Sequence, residues 1–382
     1  MSGTTGRLFR FFCFIIRYIC TFADMNSGAK SIDMKTVSIV IFCTLALFVF
    51  TDASAQRFLW NARFDSQFDN REYKSEINWP QTLFGARLTP EIGIGWGNGN
   101  GMMIGVDLMA DFGAKTFNTD PELLFYYQYD SKRFKAYAGV FPRHKLMGGY
   151  SNAFFSDSVR FYDANLDVLL LQYVGGRGYV EVACDWNSML SQTTREKFML
   201  FSSGRVNTPV FYAGYNVSMY HHAGTVDEDG VVDNVLLNPY IGVDLTRKLP
   251  LDSLYLQAGW MQAFQNDRKY VGEYVSPHGV QIELRVEKWK FGVFNTAYIG
   301  KNLMPYYDAP DFGYWHGLYF GEPFYRTNSN IYDRLELYWH PIRKESMNLR
   351  VASIHHYDGK KWGWQQMVTF WVNINEKMFR KR

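Results

Sequence analysis

Apolar and polar residues alternate with a period of two over most of the chain after residue 56. In a β-strand, such alternation gives one apolar face and one polar face. Stretches with the three- and four-residue spacing of an amphipathic helix are few, so the pattern predicts an all-β protein. The clearest apolar rows are Met102, Ile104, Val106, Leu108, Ala110 and Phe112; Ile282, Leu284 and Val286; and Val368, Phe370, Val372 and Ile374.

The alternating segments are longer than the strands of most soluble proteins. Soluble strands usually have about five or six residues, whereas a strand that crosses a bilayer needs about 9 to 11. An apolar row facing lipid and a charged row facing a lumen are typical of a transmembrane barrel. We therefore predict a transmembrane antiparallel β-barrel of about 16 strands, within a range of roughly 14 to 18; a secreted β-sandwich is the alternative. The segments begin near residues 57, 83, 102, 121, 133, 166, 177, 196, 209, 237, 254, 277, 290, 331, 347 and 366.

Aromatic residues flank many of these rows and are candidates for the girdles at the two membrane interfaces. Ordinary packing between neighbouring strands is the alternative role for each ring. The candidates are Trp96, Tyr179, Trp186, Tyr240, Trp260, Trp289, Trp339 and Trp371.

The first 55 residues have the pattern of a targeting sequence. A basic Lys35, an apolar run from Val37 to Phe50 and the small-residue site Ala53-Ser54-Ala55 are typical of a secretory signal peptide. We expect cleavage after Ala55 and a true start at Met34. The expected divisions are an over-extended N-terminus over residues 1–33, a signal peptide over 34–55 and one outer-membrane β-barrel domain over 56–382.

The composition limits the possible partners. The chain has 40 Lys+Arg and 37 Asp+Glu, a formal net charge of +3, so no large basic surface suggests nucleic acid. Removal of residues 1–55 leaves only Cys184 of the four cysteines, so the exported protein forms no intramolecular disulfide.

The chain resembles the outer-membrane β-barrel proteins of Bacteroidetes-type bacteria, broadly the porin-like class. The resemblance rests on the signal ending Ala-Ser-Ala-Gln, on Phe68–Tyr73, on Thr82–Glu91 and on the alternation across residues 56–376. It implies the outer membrane of a Gram-negative bacterium, contact with outer-membrane lipid and assembly by the barrel insertion machinery. The final strand departs from the class, because Glu376–Phe379 and a basic tail follow it in place of a terminal aromatic residue.

Charged residues on the polar rows are the first candidates for function, because side chains inside a pore select which solutes pass. Both signs occur, so neither cation nor anion preference follows. A salt-bridged wall that only keeps the lumen wet is the alternative. The candidates are Glu181, Asp185, Glu283, Arg285, Glu287, Arg334 and Glu336.

The longest stretch without alternation, Met304–Asn330, is rich in aromatic residues. Two uses fit: a constriction inside the pore, or an outer surface whose rings stack on sugars or another apolar partner. A loop that packs on itself and caps the barrel is the alternative. A second irregular region, Pro142–Asp163, is a candidate for the same mouth. The ring candidates are Tyr306, Tyr307, Tyr314, Trp315, Tyr319 and Tyr325.

These patterns favour a porin-like channel that passes or binds small polar solutes, including saccharides. The alternative is a surface or assembly protein whose barrel only anchors its loops for contact with polysaccharide or protein partners. A lipid hydrolase is less favoured, since its one conceivable nucleophile and base, Ser353 and His340, have no distinguishing spacing. We therefore predict no enzymatic activity, no catalytic residue, no metal and no cofactor.

Overall fold

The chain folds into a closed barrel of sixteen antiparallel strands, each paired with its neighbours in sequence, and β1 closes on β16. The computed structural model describes residues 57–113, 120–308 and 317–379. The strands are β1 Arg57–Tyr73, β2 Gln81–Trp96, β3 Asn100–Asp111, β4 Glu122–Asp130, β5 Phe134–Pro142, β6 Asn165–Gly175, β7 Gly178–Ser188, β8 Lys197–Asn207, β9 Phe211–His222, β10 Val232–Asp244, β11 Ser253–Asp267, β12 His278–Lys288, β13 Phe291–Gly300, β14 Ile331–Lys344, β15 Met347–Tyr357 and β16 Trp362–Asn375.

The predicted barrel and the predicted count of sixteen strands are confirmed, and the closed sheet excludes the β-sandwich alternative. The period-two pattern forms the two faces of the wall. On β7, for example, Val182 is 52% exposed on the outside, whereas Glu181 is 1% exposed on the inside. Because every strand pairs on both sides, no strand edge is left to bond another chain.

The two ends of the barrel differ in the length of their connections. One end has mostly tight turns, such as 176–177, 289–290 and 345–346, while the other end has longer loops, including 143–164 and 301–330. In outer-membrane barrels short turns face the periplasm and longer loops face outside. We therefore call the long-loop end the outer end.

Both of the longest loops fold into the lumen. We call residues 143–164, 301–308 and 317–330 together the plug. Its two halves are joined by backbone hydrogen bonds, from Ser156 N to Phe320 O (2.8 Å) and from Glu322 N to Asn152 O (2.7 Å). Next to these bonds Gly321 approaches so closely that an added Cβ would lie 2.1 Å from the carbonyl oxygen of Ala153.

Short helices shape the plug locally. Helix α1, Asp157–Tyr162, begins after Ser156, whose hydroxyl accepts a hydrogen bond from Val159 N (3.3 Å). A capping hydroxyl of this kind satisfies a backbone donor that the first turn leaves unpaired. A 3-10 helix, Pro323–Arg326, places Phe324 and Tyr325 against the inner face of the wall.

Aromatic contacts seal the plug against opposite sides of the barrel. On one side the Tyr150 ring meets Phe201 of β8 at a centroid distance of 5.5 Å. On the other side Phe324 stacks on His356 of β15 at 4.6 Å. Phe324 and His356 are both fully buried, so the plug forms part of one apolar core with the wall.

The predicted girdle aromatics do not all lie on the outer surface. Trp260, Trp289 and Trp339 lie on the outer surface, but Tyr240 faces the lumen and is 6% exposed. The expected start at Met34 and the signal peptide lie outside the described residues. No helix among residues 57–113, 120–308 and 317–379 is long and apolar enough to cross a membrane.

Candidate functional site

The charged residues predicted to line a pore have their side chains on the inner face of the wall. Six of the seven are no more than 9% exposed, because they contact the plug or neighbouring strands. Glu283 accepts a hydrogen bond from Gln281 Nε2 (2.7 Å), Arg285 lies 4.6 Å from the ring centroid of Phe294, and Glu287 pairs with Arg343.

Two carboxylates of β7 hold the first half of the plug. Glu181 accepts hydrogen bonds from the backbone nitrogens of Met147 and Gly148, both at 2.8 Å. Asp185 pairs with Arg143 at 3.1 Å. These carboxylates thus fix the path of the chain where it enters the lumen.

A second attachment lies on β14. Arg334 pairs with Asp157 of helix α1 at 2.8 Å and also with Glu336 on its own strand. Burial would raise the pKa of Asp157, but Arg334 and other nearby arginines hold that pKa below its usual value. The ionised carboxylate therefore ties α1 to the wall.

The aromatic loop lies inside the lumen over its described part. Tyr306, Tyr307 and Tyr325 are buried, at most 7% exposed, and Tyr319 donates a hydrogen bond to Gln265 Oε1 (2.8 Å). Because they are buried in this way, the faces of these rings contact other residues of the protein. Tyr314 and Trp315 lie outside the described residues.

One plug carboxyl has a markedly shifted pKa. Glu322 lies where the two halves of the plug meet, within reach of Asn78 Nδ2 (3.4 Å). Burial raises the pKa of Glu322 to about 7, although Arg71 and Arg334 favour its ionised form.

The outer, lipid-facing surface carries a group of polar side chains that the sequence analysis did not single out as a group. They lie toward the outer ends of β15, β16, β1 and β2, on the outer face of the wall. We call them the outer polar patch: Ser353, His355, Gln366, Asn70, Glu72 and Thr82.

The patch contains a serine and a histidine in direct contact. Ser353 Oγ lies 3.1 Å from His355 Nε2, and Trp364 Nε1 donates to the same hydroxyl oxygen at 2.8 Å. Residues two apart on a strand share a face, so the sequence Ser-Ile-His places both side chains on the outside while His356 points inward. With the indole N–H supplied to its oxygen, Ser353 is free to donate its own proton to His355 Nε2.

A row of hydrogen bonds runs beside this pair. The Thr82 hydroxyl donates to Asn70 Oδ1 at 2.6 Å, and Asn70 Nδ2 donates to Gln366 Oε1 at 2.9 Å. Gln366 lies directly opposite Ser353 across the β15–β16 pair. The row thus crosses three strands and ends beside the serine.

His355 of this pair lines a shallow outer pocket of about 310 Å³, which Ser353 does not line. It brings His355 of β15 and Glu72 of β1 to the same opening although a strand lies between them. Its lining residues are Glu72, Lys74, His355, Trp362, Gly363 and Trp364.

The pair considered from the sequence, His340 and Ser353, does not form. His340 is 8% exposed on the inner face, where its Nδ1 contacts Asn348 Oδ1 at 2.9 Å, while Ser353 is on the outer face. The wall separates them. A Ser-x-His spacing that interrupts the apolar row of Leu349 and Val351 was the signal that could have identified the correct partner.

No group of three or more His, Cys, Asp or Glu side chains able to hold a metal ion occurs within the described ranges. Among the described side chains, we therefore take the Ser353 and His355 pair as the candidate for catalysis. A serine in contact with a histidine can act as a nucleophile assisted by a general base.

Solved structures of outer-membrane proteins share the fold. A loop L8 deletion mutant of OmpT, an outer membrane protein of Vibrio cholerae, matches with a TM-score of 0.51 and 8% identity over 84% of this chain and 100% of that chain. OprB of Pseudomonas putida matches with a TM-score of 0.47 and 8% identity over 84% of this chain and 94% of that chain. At 8% identity the likeness to the OmpT mutant shows the fold alone. No curated protein matches the chain.

The closed barrel and its apolar outer surface are those of an outer-membrane type of β-barrel, which is the fold that the sequence resemblance implied. A family model described as "Lipid A 3'-O-deacylase-type" matches residues 52–382. That match contradicts the expectation of no enzymatic activity, because the family is named for an enzyme. The sequence analysis considered only His340 as a partner for Ser353 and overlooked the Ser-x-His spacing, which places Ser353 and His355 on one face of a strand.

Proposed function

Because the chain belongs to the lipid A 3'-O-deacylase-type family, we propose that it hydrolyses ester-linked acyl chains of lipid A at Ser353 and His355. The observation that carries this proposal is the 3.1 Å contact between Ser353 Oγ and His355 Nε2 on the lipid-facing surface.

The position of the pair suits a lipid substrate. His355 lies two residues before the outer end of β15, and Ser353 lies two residues farther from that end. With the long loops facing outside, this depth corresponds to the outer leaflet, near the boundary between headgroups and acyl chains. An ester bond at that boundary could reach Ser353 by lateral diffusion, without entering the lumen.

The chemistry follows from the protons of the pair. Ser353 Oγ attacks the ester carbonyl carbon while His355 Nε2 takes the hydroxyl proton. The tetrahedral intermediate collapses, His355 returns that proton to the departing sugar oxygen, and the acyl chain remains on Ser353. Water, deprotonated by His355, then releases the fatty acid and restores the serine. Glu72, at the same pocket, would favour the imidazolium formed in both steps.

The direct test is fatty-acid release from purified lipid A in mixed micelles, measured by mass spectrometry on the full-length protein. We expect the wild type to release ester-linked acyl chains, and Ser353→Ala and His355→Asn each to lower kcat by on the order of 10³-fold or more. A fluorophosphonate probe should label the wild type and not Ser353→Ala.

His340→Ala is the matched control, since it removes a histidine from the inner face of the adjacent strand. It should retain activity. Activity that survives in Ser353→Ala would refute the assignment, whatever the behaviour of the histidine variants.

A second candidate function is the passage of small polar solutes, saccharides among them, through the lumen. It is favoured by the charged inner face, where the side chain of Arg343 stays 42% exposed. The plug would have to move for solutes to pass, so single-channel recording in planar bilayers distinguishes an open pore from a closed one. A barrel that only anchors loops for surface partners would show no conductance, whether or not the plug moves.

A further inference from the structure

Most arginines inside the barrel are paired with carboxylates. A guanidinium group that leaves bulk water without a counter-charge has a high free energy, so pairing is the arrangement expected in the lumen. Eight arginines of the inner face and the plug form such salt bridges: Arg63, Arg71, Arg87, Arg143, Arg326, Arg334, Arg343 and Arg350. An inner arginine that departs from this arrangement needs another explanation.

Two arginines of the inner face, Arg205 of β8 and Arg285 of β12, form no salt bridge within the described ranges and lie against aromatic rings instead. The guanidinium carbon of Arg205 is 3.7 Å from the ring centroid of Tyr212, and that of Arg285 is 4.6 Å from the centroid of Phe294. Stacking uses the face of a guanidinium group and leaves its in-plane N–H donors available. In Arg205 only Nε has an acceptor among the described residues, Asn207 Oδ1 at 2.7 Å.

The nearest carboxylates have other partners. Glu283 and Asp244 both act electrostatically on Tyr212. Glu283 is 9% exposed and accepts a hydrogen bond from Gln281 Nε2 (2.7 Å), while Asp244 accepts one from a backbone nitrogen of the following turn (3.0 Å). Since neither carboxylate forms a salt bridge with the two arginines, both guanidinium groups keep donors and charge that the described residues do not pair directly.

Two tyrosine hydroxyls complete the arrangement. The Tyr255 hydroxyl interacts electrostatically with both Arg205 and Arg285, so the two guanidinium groups border the same part of the lumen. The Tyr212 hydroxyl is buried and has no hydrogen-bond partner among the described residues. A buried hydroxyl without a partner is unfavourable, and an acceptor that entered the site would provide one. We call Arg205, Tyr212, Tyr255 and Arg285 the guanidinium cluster.

The guanidinium cluster lies between the plug and the short-turn end of the barrel, the end that faces the periplasm in outer-membrane barrels. Arg205 is two residues from that end of β8, and Tyr212 is the second residue of β9. The plug contacts the same two strands farther from that end, at Phe201 and Asn216. Three of the four members of the cluster are partly exposed. A small solute therefore reaches the cluster from the short-turn end without passing the plug.

We propose that the guanidinium cluster is a binding site for a phosphate group, carried either by free phosphate or by a small phosphorylated solute. The in-plane donors of a guanidinium group match phosphate oxygens, and such charge-assisted hydrogen bonds are roughly twice as strong as neutral ones. Two guanidinium groups balance the charge of about −1.5 to −2 that a phosphomonoester carries near neutral pH. The hydroxyls of Tyr212 and Tyr255 donate to the remaining oxygens. This site is separate from Ser353 and His355 and does not rest on the proposed function.

The test is isothermal titration calorimetry of the full-length barrel in zwitterionic detergent. An ionic strength of about 0.1 M screens charges that lie more than about 10 Å apart. Inorganic phosphate, glucose 6-phosphate and acetate are titrated separately into the wild type, Arg205→Gln, Arg285→Gln and Arg177→Gln. Arg177 is exposed in the turn 176–177 at the same end of the barrel, so Arg177→Gln removes the same charge outside the cluster. Heat-modifiable mobility on gels verifies that each barrel is folded.

We expect saturable binding of phosphate by the wild type, weakened roughly tenfold or more in Arg205→Gln and in Arg285→Gln. Arg177→Gln should bind as the wild type does. Acetate should bind more weakly than phosphate, because it has one charge and two oxygens. Tighter binding of glucose 6-phosphate than of inorganic phosphate would assign the site to phosphorylated solutes, and the reverse order would assign it to free phosphate.

Three results would overturn the proposal. The first is a folded wild-type barrel that shows no saturable binding of either phosphate compound. The second is an equal loss of binding in Arg177→Gln, which would indicate a general effect of charge. The third is acetate binding as tight as phosphate binding. None of these measurements depends on acyl release, so this proposal and the deacylase proposal fail independently.

Discussion

The phenol ring of Tyr338 on β14 lies over Gly292, its cross-strand neighbour on β13, so that a Cβ at position 292 would lie 2.2 Å from Tyr338 Cζ. The Tyr338 hydroxyl donates a hydrogen bond to Glu287 Oε2 at 3.0 Å. Tyr212 covers Gly242 as a direct cross-strand neighbour in the same way, and Tyr298 covers Gly279 diagonally, since its direct partner is Gln281. Tyrosines on the inner face thus cover glycines where a side chain would not fit.

Gly292→Ala should destabilise the barrel, because the new methyl group displaces the Tyr338 ring. We expect a loss of about 1–3 kcal/mol in the free energy of unfolding, measured by urea titration of the barrel in detergent. Gly176→Ala, in a turn where nothing lies within 4 Å of the added Cβ, is the control. Equal stability of the two variants would contradict the steric argument.

Trp364→Phe should lower kcat for acyl release, because it removes the indole N–H that holds Ser353 Oγ at 2.8 Å. A neutral hydrogen bond contributes about 0.5–1.5 kcal/mol, which corresponds to a fall of roughly two- to twelvefold. Trp362→Phe is the control, since Trp362 borders the same pocket but stacks on Tyr357 (4.8 Å). A similar loss in both variants would show that the pocket, not the hydrogen bond, is responsible.

Plug stability should fall as pH rises through the window between pH 4.5 and pH 7. Burial raises the pKa of Glu322 to about 7 from an ordinary value of 4.5, so within that window the closed plug binds a proton that the released segment gives up. The full contribution is present below about pH 4.5 and lost above about pH 7, and amounts to ~3 kcal/mol. Hydrogen exchange of residues 317–330 would measure it.

Glu322→Gln is the control for that experiment. The glutamine side chain keeps an oxygen that can accept the hydrogen bond from Asn78 Nδ2, but it does not titrate. Its exchange protection, corrected for the intrinsic rate, should be flat over the same range. Arg71 and Arg334 oppose the shift and Asp157 and Asp69 reinforce it. Identical pH profiles for the two proteins would exclude Glu322 as the titrating group.

Gly321→Ala should loosen the two halves of the plug, because its Cβ would lie 2.1 Å from Ala153 O. We expect more frequent channel openings in planar bilayers than with the wild type. Gly149→Ala changes a plug glycine with nothing within 4 Å and is the matched control. If a folded Gly321→Ala barrel stays as silent as Gly149→Ala, the contact between the two halves does not keep the lumen closed.

The fold class could be predicted from the sequence because the alternation of apolar and polar residues is a property of each strand by itself. Whether Val182 faces lipid or Glu181 faces the lumen depends only on strand parity once the barrel is assumed. The same parity assigned opposite faces to His355 and His356. The closed register of β1 with β16 was expected only as a consequence of the barrel class.

The role of the two long loops could not be predicted, because their contacts are distant in sequence. Ser156 bonds Phe320 across 164 positions, and no local pattern distinguishes a loop that enters the lumen from one that faces outside. The buried positions of Tyr306 and Tyr325 follow from that entry.

The sequence by itself determined a barrel of sixteen strands with a charged inner face and an apolar outer face, because each strand carries its own period-two pattern. Only the tertiary structure decided which strands bring Gln366, Asn70 and Ser353 together, since cross-strand neighbours depend on register. It also decided that the Ser353 hydroxyl contacts the His355 ring, because strand parity puts both side chains on one face but does not orient them.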